Sequence, residues 1–204
     1  MTHIKLDEQF KQADPIYGMP VVGYIYRKNL EVATSLTKPH GKRVLDIGFG
    51  LGVLFPYLAQ YTHDCYGMDL DVARAAKGHQ ILNRLNIKPE LTIGDSRFMP
   101  FREKAFDIIY ALNVLEHIED ITLAVSNIRG LLKINPPGYL VVAAPTENWL
   151  YHLGRRAIHF RRPHHYWKAK EIENVLRRYL KVEEVVSIYP LLTLFKVYLC
   201  QNRV

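Results

Sequence analysis

The sequence has 204 residues, 49% of them hydrophobic and 23% charged, with a formal net charge of +7 and two cysteines, Cys65 and Cys200. That length holds one domain with no room for a second of comparable size. Two cysteines are too few for a disulfide framework or a thiolate metal site, and no stretch approaches the ~18 apolar residues of a membrane span.

The N-terminal Met1–Glu8 lacks the apolar core of a secretory signal, so the cytoplasm is the expected location. The segment before Arg43 reads as a helix over about Val21 to Leu36, a candidate lid over a sheet edge. From Arg43 onward, short β-branched runs alternate with helical periodicity, the pattern of parallel βαβ units. The spacing predicts strands at Arg43–Ile47, Cys65–Met68, Glu90–Ile93, Phe106–Leu112 and Tyr139–Ala144. Between them it predicts a helix after the glycine loop through about Gln60, a second over Val72–Leu85 and a third over Ile121–Lys133. Pro136-Pro137-Gly138 reads as the turn that stops the third, and a last helix is expected over Ala169–Leu180. Val182–Ile188 and Leu194–Cys200 both look like strands, joined by only a few residues around Pro190. Parallel neighbours need a crossover of about a dozen residues, so these two must pair antiparallel. The expected fold is α/β: a doubly wound, mostly parallel seven-stranded sheet that ends in an antiparallel hairpin, with helices on both faces.

Val44-Leu45-Asp46-Ile47-Gly48-Phe49-Gly50-Leu51-Gly52 puts a glycine-rich turn directly after the first strand. Glycines there permit a tight turn and close approach of a ligand to the backbone. Asp69 ends the second strand about twenty residues later, where an acid accepts hydrogen bonds from ribose hydroxyls. The pair points to a nucleoside-containing cofactor. Gly48, Gly50 and Gly52 run G-x-G-x-G, not the G-x-G-x-x-G of nicotinamide sites. Asp46 would welcome the α-ammonium of a methionine, which favours S-adenosylmethionine (SAM) over NAD.

These pieces resemble a class I SAM-dependent methyltransferase, similar to the subgroup that includes the ubiquinone and menaquinone biosynthesis methyltransferases. The matching residues are Val44 to Gly52, Gly67-Met68-Asp69, Gly94 to Phe101, Phe106 to Ile109 and Val114 to Asp120. The resemblance implies that Asp46, Gly48 and Gly50 face the methionine part of SAM, with Gly52 in the same loop, and that Asp69 faces the ribose. It further implies Leu70 on the adenine, Asp95 on the adenine amino group with Ser96 beside it, and Asn113 near the methionyl end. Asp71 rivals Asp69 but is expected to cap the following helix.

The cofactor carries the reactive methyl group; the protein aligns it and, for a hydroxyl or activated carbon, removes a proton. His117, after the fourth strand, is the candidate base; the alternative is that Glu116 and His117 only shape the loop. Asn135-Pro136-Pro137 resembles part of a nucleic-acid amino-methyltransferase motif but precedes the fifth strand and lacks the aromatic, so it reads as a turn. His152, His159, His164 and His165 have no acid or cysteine among them and several arginines, so no metal site is expected.

Residues 148–170 carry Arg155, Arg156, Arg161, Arg162, Lys168 and Lys170 and no acid, which is +6 of the net charge. At 100° per residue, Trp149, Leu150, Leu153, Ala157 and Phe160 share one face of a helix and His152, Arg155, Arg156, His159 and Arg162 the other. Such a helix suits peripheral contact with a membrane surface through 149–162, or packs on its own domain with a solvated basic side. An RNA-binding edge is the third reading and the least supported.

The chain is therefore expected to be a single SAM-dependent methyltransferase domain. Its parts would be an N-terminal helical lid (1–40), a cofactor-binding core (43–144), an acceptor-side insertion (145–168), and a last helix with the terminal hairpin (169–204). The expected acceptor is a small or lipid-like molecule. RNA or protein as acceptor, or a non-catalytic SAM-fold binding protein, are the alternatives.

Overall fold

A computed structural model describes residues 6–146, 165–188 and 193–203. The helix expected at 149–162, and most of the expected insertion, lie outside them. The fold comprises two compact units, Met1–Asp95 and Ser96–Val204.

In the first unit, strands β1 (Val44–Ile47), β2 (Cys65–Asp69) and β3 (Glu90–Ile93) pair in parallel. The register sets Val44 opposite Cys65, Asp46 opposite Gly67, and Asp69 opposite Ile93. Every residue of β1 is buried, as the continuous apolar reading of an interior parallel strand requires. Helix α4 (Val72–Arg84) follows β2 and buries Ala75, Gly78, Ile81 and Leu82.

Two elements of this unit differ from the sequence expectation. After the glycine loop only a short helix α3 (Phe55–Leu58) forms. Gly50 and Gly52 hold φ of +53° and +79°, incompatible with a right-handed helix, so helical geometry is delayed past Leu54. At the N-terminus, α2 (Pro20–Thr37) matches the expected helix, and it is preceded by α1 (Leu6–Ala13) and a 3₁₀ turn, η1 (Pro15–Gly18). Asp14 caps η1 by accepting a hydrogen bond from the Ile16 N–H at 3.2 Å.

In the second unit, β4 (Ile108–Leu112) and β5 (Tyr139–Pro145) are parallel, with α5 (Ile121–Leu131) between them in sequence. Helix α6 (Ala169–Tyr179) leads directly into β6 (Leu180–Ile188), and β7 (Phe195–Asn202) closes the chain. β7 runs antiparallel to both β5 and β6, which is the terminal hairpin the sequence predicts. The seven strands lie in the order β3-β2-β1-β4-β5-β7-β6, and the fold class is the one expected.

Candidate functional site

The first unit builds a constellation around Asp69, whose side chain is buried at the end of β2. Its Oδ2 accepts the Gly50 N–H at 2.6 Å and its Oδ1 accepts the Asp71 N–H at 2.8 Å. One carboxylate therefore ties the glycine loop to the β2–α4 turn. Charge-assisted bonds of this kind are the strong ones, and each oxygen keeps acceptor capacity for a ligand hydroxyl. The Gly48 N–H donates to the Met68 carbonyl at 2.7 Å, which holds the loop's first residue against the same strand end.

Asp46 lies on β1 and is 4% exposed. Burial, and then the neighbouring charge of Asp69, hold its carboxyl well above the usual carboxylate range. A positive group placed beside it would favour its ionised form.

Gly78 is a residue the sequence reading missed. A Cβ built there would lie 2.6 Å from the Gly50 carbonyl oxygen and 2.9 Å from the Leu51 carbonyl carbon. Helix α4 thus packs its backbone directly on the glycine loop. From the same helix the Arg74 side chain lies against Gly50, where an added Cβ would come within 2.9 Å of its Nε. Its Nη2 donates to Asp14 Oδ2 at 3.2 Å and to the Tyr17 hydroxyl at 3.5 Å. On α1, Phe10 packs with Leu51 of the loop and Ile81 of α4. The N-terminal elements are therefore seated on the glycine loop.

Of the other expected contacts in this unit, Leu70 is 68% exposed beyond the strand end, as a residue that packs on a ligand ring would be. Asp71 caps α4 through the Arg74 N–H at 2.9 Å, the role assigned to it in place of ribose binding. Asp95 is half-buried after β3, and the adjacent Gly94 N–H donates to the Asp69 carbonyl at 3.0 Å.

In the second unit, Ser96 is buried. Asn113 follows β4 in a left-handed conformation, φ +58°, with its N–H donating to the Ala143 carbonyl at 2.9 Å. Its Oδ1 is buried with no hydrogen-bond partner among the described residues. An orphaned buried acceptor costs about 1–3 kcal/mol, which a ligand donor would relieve. Asn29 on α2, in the first unit, is a second such amide: it is 1% exposed and neither side-chain atom finds a partner among the described residues.

After Asn113 the chain makes a 3₁₀ turn, η2 (Leu115–His117), with Glu116 1% exposed and His117 half-buried. No acid stands among the four histidines in sequence, but the fold brings Glu116 to His165. The Tyr166 N–H donates to the Glu116 carbonyl and the Trp167 Nε1 to the Ile118 carbonyl, each at 2.8 Å. These bonds lay 165–167 along 116–118 and bring Glu116, His117 and His165 together. His152, His159 and His164 lie outside the described residues.

A family model described as a methyltransferase domain matches residues 23–182. A ubiquinone biosynthesis O-methyltransferase of Rhodopseudomonas palustris strain BisA53 is 33% identical over 117 residues, which is 56% of this chain and 44% of the relative. A probable chloroplastic tocopherol O-methyltransferase of Oryza sativa subsp. japonica is 31% identical over 104 residues, 50% of this chain and 28% of the relative. The chain spans less than half the length of either. Among solved structures, a SAM-dependent methyltransferase from Aquifex aeolicus superposes with a TM-score of 0.72. It covers 98% of this chain and 100% of its own, at 16% sequence identity, and shares the fold.

Proposed function

This chain belongs to the methyltransferase-domain family of SAM-dependent enzymes, and on that premise we propose that it methylates an oxygen of a small quinone-like or lipid-like acceptor. The observation that carries the cofactor site is the Asp69 carboxylate, fixed by the N–H groups of Gly50 and Asp71 with acceptor capacity left for a ribose. Gly48, Gly50 and Gly52 provide the backbone turn beside which the methionine part would lie, with Asp46 for its ammonium. Leu70 would cover one adenine face, Asp95 would accept from the adenine amino group with Ser96 beside it, and Asn113 would meet the methionyl end.

Bound SAM supplies an electrophilic methyl group on a sulfonium. What remains for the protein is alignment of the acceptor and, for a hydroxyl, acceptance of its proton, the role proposed for His117. The oxygen acceptor is supported by the ubiquinone and tocopherol O-methyltransferases that the chain resembles. A cytoplasmic location, with attachment to a membrane surface through 149–162, belongs to the same proposal and suits an acceptor drawn from a bilayer.

The test is incubation with SAM and a panel of hydroquinones, catechols and prenylated phenols, with S-adenosylhomocysteine and methylated product followed by mass spectrometry. Turnover with a member of the panel supports the reading. SAM binding without S-adenosylhomocysteine from any acceptor would favour a binding protein on this fold, and turnover confined to RNA or protein would replace the acceptor class.

A further inference from the structure

Glu116, His117 and His165 each offer one donor atom, and these atoms lie within 4.8 Å of one another. The two imidazole rings stand 4.8 Å apart between centroids at 76°. The arrangement does not rest on side chains alone. η2 fixes Glu116 and His117 through the His117 N–H to Val114 carbonyl bond at 2.9 Å, and the Tyr166 and Trp167 bonds hold His165 from the other side. Two backbone segments 48 residues apart in sequence are thus pinned together with their metal-ligating side chains at the junction.

From this geometry we infer that Glu116, His117 and His165 form a binding site for one divalent ion of borderline softness, Zn²⁺ or a close analogue. Two imidazoles and one carboxylate are a donor set for such ions that leaves coordination positions open. Ligand bonds of about 2.0–2.2 Å place tetrahedral donors roughly 3.4 Å apart. A spread of up to 4.8 Å closes to that by side-chain rotation of about an ångström. The open positions suit a water or an oxygen of the acceptor. The ion would engage one imidazole nitrogen of His117, so the part that His117 plays in the proposed function would be exerted beside or through the ion.

The experiment uses the full chain, freed of metal by chelation and dialysis, titrated with Zn²⁺ alone by calorimetry. Co²⁺ is added in parallel and followed by its visible absorption. The expected result is one equivalent bound, Co²⁺ bands typical of nitrogen ligation, and a melting temperature that rises with Zn²⁺. His117→Ala and His165→Ala should each weaken Zn²⁺ binding at least 10-fold and abolish the Co²⁺ bands. The metal-free melting temperatures of both variants report whether each is folded. Absence of stoichiometric uptake overturns the site, as does uptake undiminished in both variants, which would put the ion on other histidines. SAM affinity of the metal-loaded and metal-free protein is measured in the same series. Absence of SAM binding in the metal-loaded and metal-free protein alike refutes the proposed function and leaves the metal result standing, and the reverse also holds.

Discussion

Replacing Asp69 by alanine tests the site at its most connected residue. The substitution strips the acceptor from two backbone N–H groups, Gly50 at 2.6 Å and Asp71 at 2.8 Å. Bonds to a charged group contribute about 1.5–3 kcal/mol each, so complete loss of both would cost about 3–6 kcal/mol. Two effects reduce that figure. Asp71 is exposed, so water replaces part of its bond. Removal of the Asp69 charge also relieves Asp46, which that charge disfavours as an anion. A net destabilisation of about 2–4 kcal/mol is expected, and at roughly 2–4 °C per kcal/mol for a chain of this size the melting temperature falls by about 4–16 °C. SAM affinity should fall by more than the ~1–3 kcal/mol of the lost ribose bonds alone, because the loop that presents its backbone loses its anchor. Differential scanning fluorimetry without ligand reads the first effect and calorimetry with SAM the second. A variant that melts within a degree of the wild type and binds SAM equally would falsify the reasoning. A lowered melting temperature with unchanged affinity would leave Asp69 as a loop anchor with no part in the ribose site.

Asp46→Asn should stabilise the ligand-free protein at pH 8 and weaken SAM binding. The native carboxyl titrates above its unfolded range, so its stabilising contribution is complete only below about pH 4 and is lost as pH rises through the native value. Melting curves should therefore show the gap between variant and wild type narrowing as pH falls, and a constant gap refutes the assignment. His117→Ala is expected to lower turnover about 10²–10⁴-fold with SAM affinity intact, by steady-state kinetics and calorimetry. A normal rate would reduce His117 to a part of the turn. Gly78→Ala should destabilise by about 1–3 kcal/mol through overpacking against Gly50 and Leu51, with unchanged melting as the contrary result. Charge reversal at Arg155 and Arg156 should reduce co-sedimentation with anionic vesicles at low salt, each residue contributing about 1 kcal/mol. Recovery indifferent to charge, salt and lipid would remove the membrane reading.

The strands were legible because an interior parallel sheet demands unbroken apolar runs, and Val44–Ile47 and Ile108–Leu112 supply them with scarcely a polar residue. The hairpin was legible from connection length alone. Asp69 could be named from its distance to the glycines, but its two backbone bonds could not, since they depend on how the loop closes. α1 escaped notice because its eight residues are mostly polar or charged; the anchor that seats it, Phe10, meets partners at Leu51 and Ile81, far along the chain. Gly78 gave no sequence signal, because the loop backbone that leaves no room for its Cβ lies at Gly50 and Leu51, far from it along the chain. The pairing of His165 with Glu116 had no sequence signal: 48 residues separate them, and the histidine stands among arginines.

The seating of the N-terminal helices on the glycine loop bears on how fast the enzyme can run. Of the links described, the ion pair between Arg74 and Asp14 has side chains 31% and 20% exposed, a partly solvated contact. Pairs near water are worth about 1 kcal/mol or less, and in the apolar cluster beside it Phe10 is the buried residue of α1, contributing about 1.5–3 kcal/mol, with Ala13 and Tyr17 packed against it. These two links together contribute only a few kcal/mol, below the cost of unfolding a domain. If SAM lies along the glycine loop as proposed, opening of this kind would free its site without disturbing the sheet. Exchange of S-adenosylhomocysteine should then quicken with ionic strength and in Asp14→Asn, and turnover should follow wherever release is the slow step.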